Sequence, residues 1–193
     1  MIAALLLTGY LATFVALNRL AAQQAGTTID NYRSATGMQA VLAWMFRVGF
    51  VGSLVWVWAR QFLEPSDAAT SALAAFGLVV MAASAGFALW AQRTMAASWR
   101  MGALDGKVGA LVDKGPFRIS RNPTFVGHIG LFAGLLLAQP SLLQALLTAL
   151  VIAAAILQVR IEEPILRREL GEAYEAYAGR VPRWLGWPGV PSR

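Results

Sequence analysis

Carboxylates and arginines are the side chains of this sequence that can do chemistry, because most alternatives are missing. The 193 residues include no cysteine and a single histidine, His128. This composition excludes thiolate nucleophiles, disulfides, zinc clusters and the paired-histidine sites of di-iron and haem proteins, and we expect no metal. Chemistry must therefore rest on carboxylates, arginines, amides or a bound cofactor.

The first polar segment with this potential is Lys114–Pro123, which ends where an apolar run begins. Asn122 followed by Pro123 predicts the N-cap and first residue of a helix. The free N–H groups at such a helix end attract a carboxylate, and Arg118 and Arg121 add positive charge nearby. We interpret this segment as an anion site. The alternative is a plain helix cap next to an arginine that helps to set the orientation of the helix in the membrane.

The second polar segment, Arg160–Pro164, contains the adjacent acids Glu162 and Glu163. On a regular helix adjacent side chains diverge by about 100 degrees, so the pair could not share a ligand there. Pro164 predicts a break that could bring them together as a cation site. Alternatively they are acids in the first turn of the next helix. Together, the two segments suit a zwitterionic ligand such as an amino acid moiety.

Other residues near the first segment have two interpretations. His128 is either a proton acceptor or a buried hydrogen-bonding residue. Gly127, Gly130 and Gly134 leave one helix face open either to a neighbouring helix or to a ligand.

The elements that must position these residues are long apolar helices. Hydrophobic residues make up 58% of the chain and charged residues only 13%, which is typical of a membrane protein. Five apolar runs predict about five transmembrane helices: Ile2–Leu20, Met38–Leu63, Ala69–Ala91, Thr124–Ala138 and Ser141–Val159. Only Gln139-Pro140 separates the last two, so we expect a tight helical hairpin that brings both polar segments together.

The distribution of arginine and lysine predicts the orientation. Most basic residues lie between the third and fourth runs or after the fifth, whereas the other side has only Arg60. We therefore expect the N-terminus outside and the C-terminus in the cytoplasm. The Ala- and Arg-rich composition suggests a bacterial inner membrane. Basic residues interleaved with apolar runs reflect membrane orientation, so we expect no nucleic acid partner despite the net charge of +6.

The C-terminal part predicts an amphipathic helix on the cytoplasmic membrane surface. Its apolar positions recur at helical spacing, and two of them, Tyr174 and Tyr177, either cover a site or anchor the helix at the interface. We expect residues 1–193 to form one all-α membrane-embedded domain. Within it, residues 1–91 are a three-helix N-terminal part and residues 92–193 the cofactor-binding and catalytic part. Nothing in the pattern indicates an oligomeric state.

The order of these motifs resembles a superfamily of membrane methyltransferases, which includes isoprenylcysteine carboxyl methyltransferases and phospholipid N-methyltransferases. The matching pieces are Gly115-Pro116-Phe117-Arg118, Arg121-Asn122-Pro123-Thr124-Phe125-Val126-Gly127, Glu162-Glu163 and Gly171-Glu172-Ala173-Tyr174-Glu175-Ala176-Tyr177. Asn122 stands where the family has histidine, and Arg160 lies nearer the acidic pair than the family's catalytic arginine.

The resemblance implies an enzyme that transfers a methyl group from S-adenosylmethionine to a lipophilic small molecule or lipid at the cytoplasmic membrane face. The cofactor-binding residues it implies are Gly115, Arg121, Asn122, Pro123, Phe125, Gly127, Glu162 and Glu163. Arg118 and Arg160 are the candidate catalytic residues, which would orient an anionic acceptor. Two alternatives remain: an NADPH-dependent membrane reductase of the sterol-reductase type, and a non-catalytic membrane protein with the same fold.

Overall fold

The computed structural model describes residues 1–63 and 72–186, and the regular elements in these ranges are all helical. The α-helices are α1 (Ile2–Ala25), α2 (Gly37–Leu63), α3 (Ala72–Met95), α4 (Pro123–Ala138) and α5 (Leu142–Arg180). Short 3-10 helices lie at Asn31–Ser34, Ala96–Ser98 and Gly115–Arg118. The expectation of an all-helical protein is confirmed for the part of the chain that the structure describes.

Four of these helices, α1, α2, α3 and α5, are long and apolar enough to cross a membrane. The fourth predicted run, α4, is apolar but has only 16 residues. A helix rises about 1.5 Å per residue, so α4 is about 24 Å long against a hydrocarbon core of about 30 Å. A fifth complete span therefore stays a prediction.

Helix α4 packs closely on α3 because glycines line their contact. A Cβ atom on Gly77 of α3 would lie 2.5 Å from the backbone nitrogen of Ala138 and 2.6 Å from the carbonyl oxygen of Gly134. On α4, a Cβ atom at Gly127 would lie 2.6 Å from the Cβ atom of Ala88, and one at Gly130 would lie 2.2 Å from the hydroxyl of Ser84. The α4 glycines therefore serve helix packing, the first of their two sequence interpretations.

Helices α2 and α5 pack together through glycine contacts and buried hydrogen bonds. A Cβ atom on Gly49 would lie 2.3 Å from the Val151 side chain, so the two backbones approach closely. The amide of Gln144 donates to the hydroxyl of Ser53 at 3.1 Å. Such hydrogen bonds give buried polar groups the partners that lipid tails cannot provide.

The break in α5 lies at Gly171 and not at Pro164, where the sequence predicted it. Helical geometry continues through Pro164, whereas Gly171 has φ 56° and ψ −135°, a backbone conformation that residues with a Cβ atom rarely adopt. Arg167 and Glu175 form an ion pair across this break. The acidic pair therefore lies on regular helix, where adjacent side chains point in different directions.

The segment between α3 and α4, residues 99–122, is fixed to the chain between α1 and α2. The backbone of Met101 donates to the carbonyl of Ile29 at 2.8 Å and accepts from the N–H of Asn31 at 3.2 Å. The side chain of Asn31 also donates to the carbonyl of Gly102 at 2.7 Å. This segment therefore forms a fixed cover at one end of the helices.

Candidate active site

A cavity of about 390 Å³ lies between the helices and the 99–122 segment. Its walls come from α1, α2, the start of α4, the second half of α5 and the 99–122 segment itself. Most of the lining is apolar, with Phe14, Phe46, Phe50 and Trp99 among the aromatic side chains. The volume falls in the range of small-molecule sites, which are mostly apolar with a few placed polar groups.

Glu162 is the member of the acidic pair that lines this cavity. Its carboxyl accepts a hydrogen bond from Gln158 at 2.9 Å, one helical turn earlier. Tyr32 lines the same cavity, and burial, with smaller contributions from the charges of Glu162 and Asp30, raises the pKa of its phenol well above the usual range. The Tyr32 hydroxyl therefore stays protonated beside Glu162.

Glu163 is turned away from this lining and joins two arginines. Its side chain is only 4% exposed, and its Oε1 atom accepts from Arg121 Nη2 at 3.0 Å. Arg183 donates to both carboxylate oxygens, at 3.0 Å and 2.7 Å. The hydrogen bond to Glu163 raises the pKa of the Arg183 guanidinium. The two arginines balance the negative charge of Glu163, and these ion pairs connect the start of α4 to the residues after α5.

The start of α4 has the expected residues but not the expected cap. Pro123 is its first residue and Asn122 precedes it, yet the Asn122 side chain makes no capping hydrogen bond. Its amide donates instead to the carbonyl of Arg183 at 3.1 Å. Because no side chain caps this helix end, its first backbone N–H groups can serve an anion.

Arg121 is buried beside that helix end, with its side chain 6% exposed. Besides Glu163, its guanidinium binds the carbonyl of Ala178 at 2.8 Å. Its Nε atom is buried and has no hydrogen-bond partner in the described residues. Arg121 also lines the cavity, so its guanidinium places positive charge beside the start of α4 there.

The structure divides the residues that the sequence singled out into two groups. Those lining the cavity are Arg121, Asn122, Pro123, Phe125 and Glu162. Those outside its lining are Gly115, Arg118, Gly127, Arg160 and Glu163.

The second group has other surroundings. Arg118 and Arg160 are exposed, Gly127 contacts α3, and Gly115 adopts φ +58° beside Thr94. None of the five contributes to the lining of the cavity.

His128 lies within the cavity wall in an aromatic surrounding that the sequence did not reveal. Its Nε2 atom is 2.6 Å from the hydroxyl of Tyr10, and the two residues are 118 positions apart. Four phenylalanine rings also lie near the imidazole: Phe14, Phe46, Phe50 and Phe125. Three of these rings and Tyr10 come from α1 and α2, which the motifs do not cover.

The tyrosines of the C-terminal part are buried rather than placed in lipid. Tyr174 is 3% exposed and Tyr177 is 2% exposed, and both line the cavity. The Tyr177 hydroxyl donates to the carbonyl of Phe117 at 2.9 Å. This arrangement matches the alternative in which these tyrosines cover a site, because protein atoms occupy the side that an anchor would give to lipid.

Comparison with known proteins identifies the family. No curated protein and no solved structure matched the chain. The model of the phospholipid methyltransferase family, however, matches residues 72–173, more than half of the 193 residues. The match includes α3, the 99–122 segment, α4 and most of α5, and it agrees with the resemblance seen in the motifs. The chain therefore belongs to the phospholipid methyltransferase family.

Proposed function

We propose that this membrane protein transfers a methyl group from S-adenosylmethionine to a lipophilic or amphiphilic acceptor at the cytoplasmic membrane face. The observation that carries the proposal is that one cavity brings Glu162, Arg121 and the uncapped start of α4 together over an apolar interior. Membership of the family supports methyl transfer as the type of reaction.

The polar end of the cavity suits the amino acid moiety of the cofactor. The carboxyl of Glu162 can bind its ammonium group. The first N–H groups of α4 can bind its carboxylate, and the guanidinium of Arg121 adds positive charge beside them. The donor set has the required positive and negative partners on opposite elements, so these residues fit the cofactor.

The two acids of the pair take different roles in this proposal. Glu162 contacts the ligand, whereas Glu163 acts through Arg121, which it holds in place by a buried ion pair. Arg118 and Arg160 are exposed and outside the cavity lining, so we assign them no contact with the cofactor.

The apolar part of the cavity suits the acceptor. Arg47 and Val51 line it and are also exposed on the surface of α2. An opening beside this helix would let an amphiphile enter from the membrane with its chain still in lipid. Arg47 lies inside a membrane-spanning helix, where a charged residue is expensive and commonly functional.

The proposed methyl transfer forms no covalent bond to the protein. Bound S-adenosylmethionine supplies an electrophilic methyl group. The protein's residues hold the acceptor in line with that group and exclude water, and such positioning can account for about 7–11 kcal/mol of a barrier. No protein nucleophile is required.

The test is calorimetric binding of S-adenosylhomocysteine to the detergent-purified protein. We expect wild-type binding, a loss of at least about tenfold in affinity for Glu162→Gln, which corresponds to one lost charged contact, and no change for Glu172→Gln. Glu172 is a matched control because it is an exposed acid on the same helix.

Failure of the folded wild-type protein to bind S-adenosylhomocysteine would refute the proposal. Binding of NADPH in its place would identify the reductase alternative. Binding of neither would leave the non-catalytic alternative, and equal loss in Glu162→Gln and Glu172→Gln would remove Glu162 from the site.

A further inference from the structure

Arg47 lies where the cavity meets the outer surface of α2. The residue contributes to the cavity lining and is also exposed. Val51, four positions further along α2, has both properties as well. Residues four positions apart lie on the same face of a helix. Arg47 and Val51 therefore form one edge of an opening on the side of α2 that faces the membrane.

The Arg47 guanidinium has no ion pair or hydrogen bond in the described part of the chain. Its Cζ atom lies 5.2 Å from the centre of the Trp44 ring, one turn nearer the start of α2. The start of α2 is also where Gln39 donates to the carbonyl of Ala103 at 3.1 Å, under the 99–122 segment. A charge on a membrane-spanning helix is costly. This one keeps its N–H donors available to a ligand at the opening.

The cavity lining has an excess of positive charge. Its described charged residues are the basic Arg47, Arg100, Lys107 and Arg121 and the acidic Asp30 and Glu162. Asp30 is paired with Arg33, and Arg121 is paired with Glu163, so three basic side chains and one acid remain. Bound S-adenosylmethionine adds a net positive charge, because it has a sulfonium, an ammonium and a carboxylate group. An anionic second ligand would offset this excess.

Aromatic stacking places Arg47 at the level of the proposed cofactor site. The ring of Phe46, the preceding residue, stacks on that of Phe125 with centroids 5.9 Å apart. Phe125 belongs to the first turn of α4, whose free N–H groups are the proposed site of the cofactor carboxylate. A polar group held at Arg47 therefore stays near the cofactor, while an attached chain can lie on the Val51 side, in lipid.

We propose that Arg47 binds an oxyanionic group, a phosphate or a carboxylate, of an amphiphilic acceptor that enters from the membrane beside α2. A guanidinium has paired N–H donors that match both groups. This inference rests on the proposed function and deepens it by naming the acceptor's charge and the residue that selects it. Arg47 takes the role that the sequence gave to Arg118 and Arg160, which are outside the cavity lining.

A second arginine on α2 provides a matched control. The Cζ atom of Arg60 lies over the Trp56 ring at 6.0 Å, much as that of Arg47 lies over Trp44. Both arginine–tryptophan pairs suit a general anchor at a membrane interface. Arg60, however, is not part of the cavity lining. Ligand binding therefore distinguishes Arg47 from Arg60, whereas anchoring does not.

The test measures retention of radiolabelled decyl phosphate by protein loaded with S-adenosylhomocysteine in dodecyl maltoside micelles. Partition into micelles is common to all variants, so differences between variants report binding to the protein. We expect saturable binding by the wild type and a loss of at least about tenfold in affinity for Arg47→Gln. Arg47→Lys should lose less, because it keeps the charge without the paired donors. Arg60→Gln should bind as the wild type does.

Competition on the wild-type protein identifies the ligand without any substitution. Unlabelled decyl phosphate and decanoate should displace the label, whereas decanol and decyltrimethylammonium should be at least about tenfold weaker because they lack the oxyanion. Inorganic phosphate should also be weaker, because it has no chain to lie in the membrane. Equal displacement by inorganic phosphate would assign the opening to a free anion and would overturn the membrane source.

Three further results would overturn the inference: unchanged binding in Arg47→Gln, equal losses in Arg47→Gln and Arg60→Gln, or equal displacement by decyl phosphate and decanol. Calorimetric binding of S-adenosylhomocysteine to Arg47→Gln should match the wild type, and its loss from folded, monodisperse Arg47→Gln would assign Arg47 to the cofactor instead. If the wild type binds no S-adenosylhomocysteine, the proposed function fails. Intact cofactor binding without a difference between Arg47→Gln and the wild type refutes only the role of Arg47.

Discussion

Replacing Glu163 by alanine leaves the Arg121 guanidinium buried without its counter-charge. The Arg121 side chain is 6% exposed and that of Glu163 is 4% exposed, so water can compensate little of the loss. Removing one partner of a buried ion pair costs about 3–5 kcal/mol, and we expect Glu163→Ala to lower the free energy of unfolding by about this amount.

Arg183 provides the comparison that tests this reasoning. Its side chain is 47% exposed although it makes two hydrogen bonds to the same carboxylate. Water screens such a charge, so Arg183→Ala should cost about 1 kcal/mol or less. Glu172→Ala is the matched control on α5, since Glu172 is exposed, and it should stay within about 0.5 kcal/mol of wild type.

Reversible unfolding in mixed micelles with increasing dodecyl sulfate measures these differences under one condition. The expected order of destabilisation is Glu163→Ala first, then Arg183→Ala, then Glu172→Ala. A loss for Glu163→Ala no greater than that for Arg183→Ala would refute the reasoning, because it would show that burial does not strengthen the link to Arg121.

Three further changes test the packing and the site. Gly77→Ala should destabilise the protein by about 1–3 kcal/mol, because its Cβ atom would lie 2.5 Å from a backbone nitrogen of α4. The control is Gly86→Ala on the same helix, whose Cβ atom would meet nothing within 4 Å, and thermal unfolding compares the two variants. Gly171→Ala should cost about 1–3 kcal/mol from its φ of +56°, and Gly179→Ala, which has no such conformation, should not lower the melting temperature. Arg118→Ala should leave the calorimetric affinity for S-adenosylhomocysteine unchanged because Arg118 is exposed and outside the cavity; a clear loss would place it at the site.

Apolar periodicity was sufficient to predict the helices, but their interruptions needed the structure. The second apolar run, Met38–Leu63, coincides with α2 to within a residue. The predicted break at Pro164 is wrong, since a proline removes one hydrogen bond while its φ remains compatible with a helix. Gly171 can adopt a positive φ, yet a sequence does not state which of its glycines does so.

The sequence predicted the part of the candidate site that lies in local motifs, and it missed the contacts between distant positions. Glu162 and Arg121 belong to local motifs, and both line the cavity. The side chains of Glu162 and Glu163 point in different directions because the helix continues through Pro164, and the sequence had predicted a break there. The contact between Tyr10 and His128 joins positions 118 residues apart, and no local pattern encodes such a separation. Arg183 is one of the basic residues after the fifth apolar run, but its pairing with Glu163 depends on how the chain turns after α5.

The shortness of α4 has a consequence for biogenesis. Its 16 residues make a weak insertion signal for the translocon, because about 20 apolar residues are needed to span the bilayer unaided. The glycine contact with α3 and the three-residue connection to α5 give α4 a neighbour on either side along the chain. We therefore expect α4 to enter the membrane together with these helices, so that a defect in their pairing would appear during synthesis as mistargeted or degraded protein.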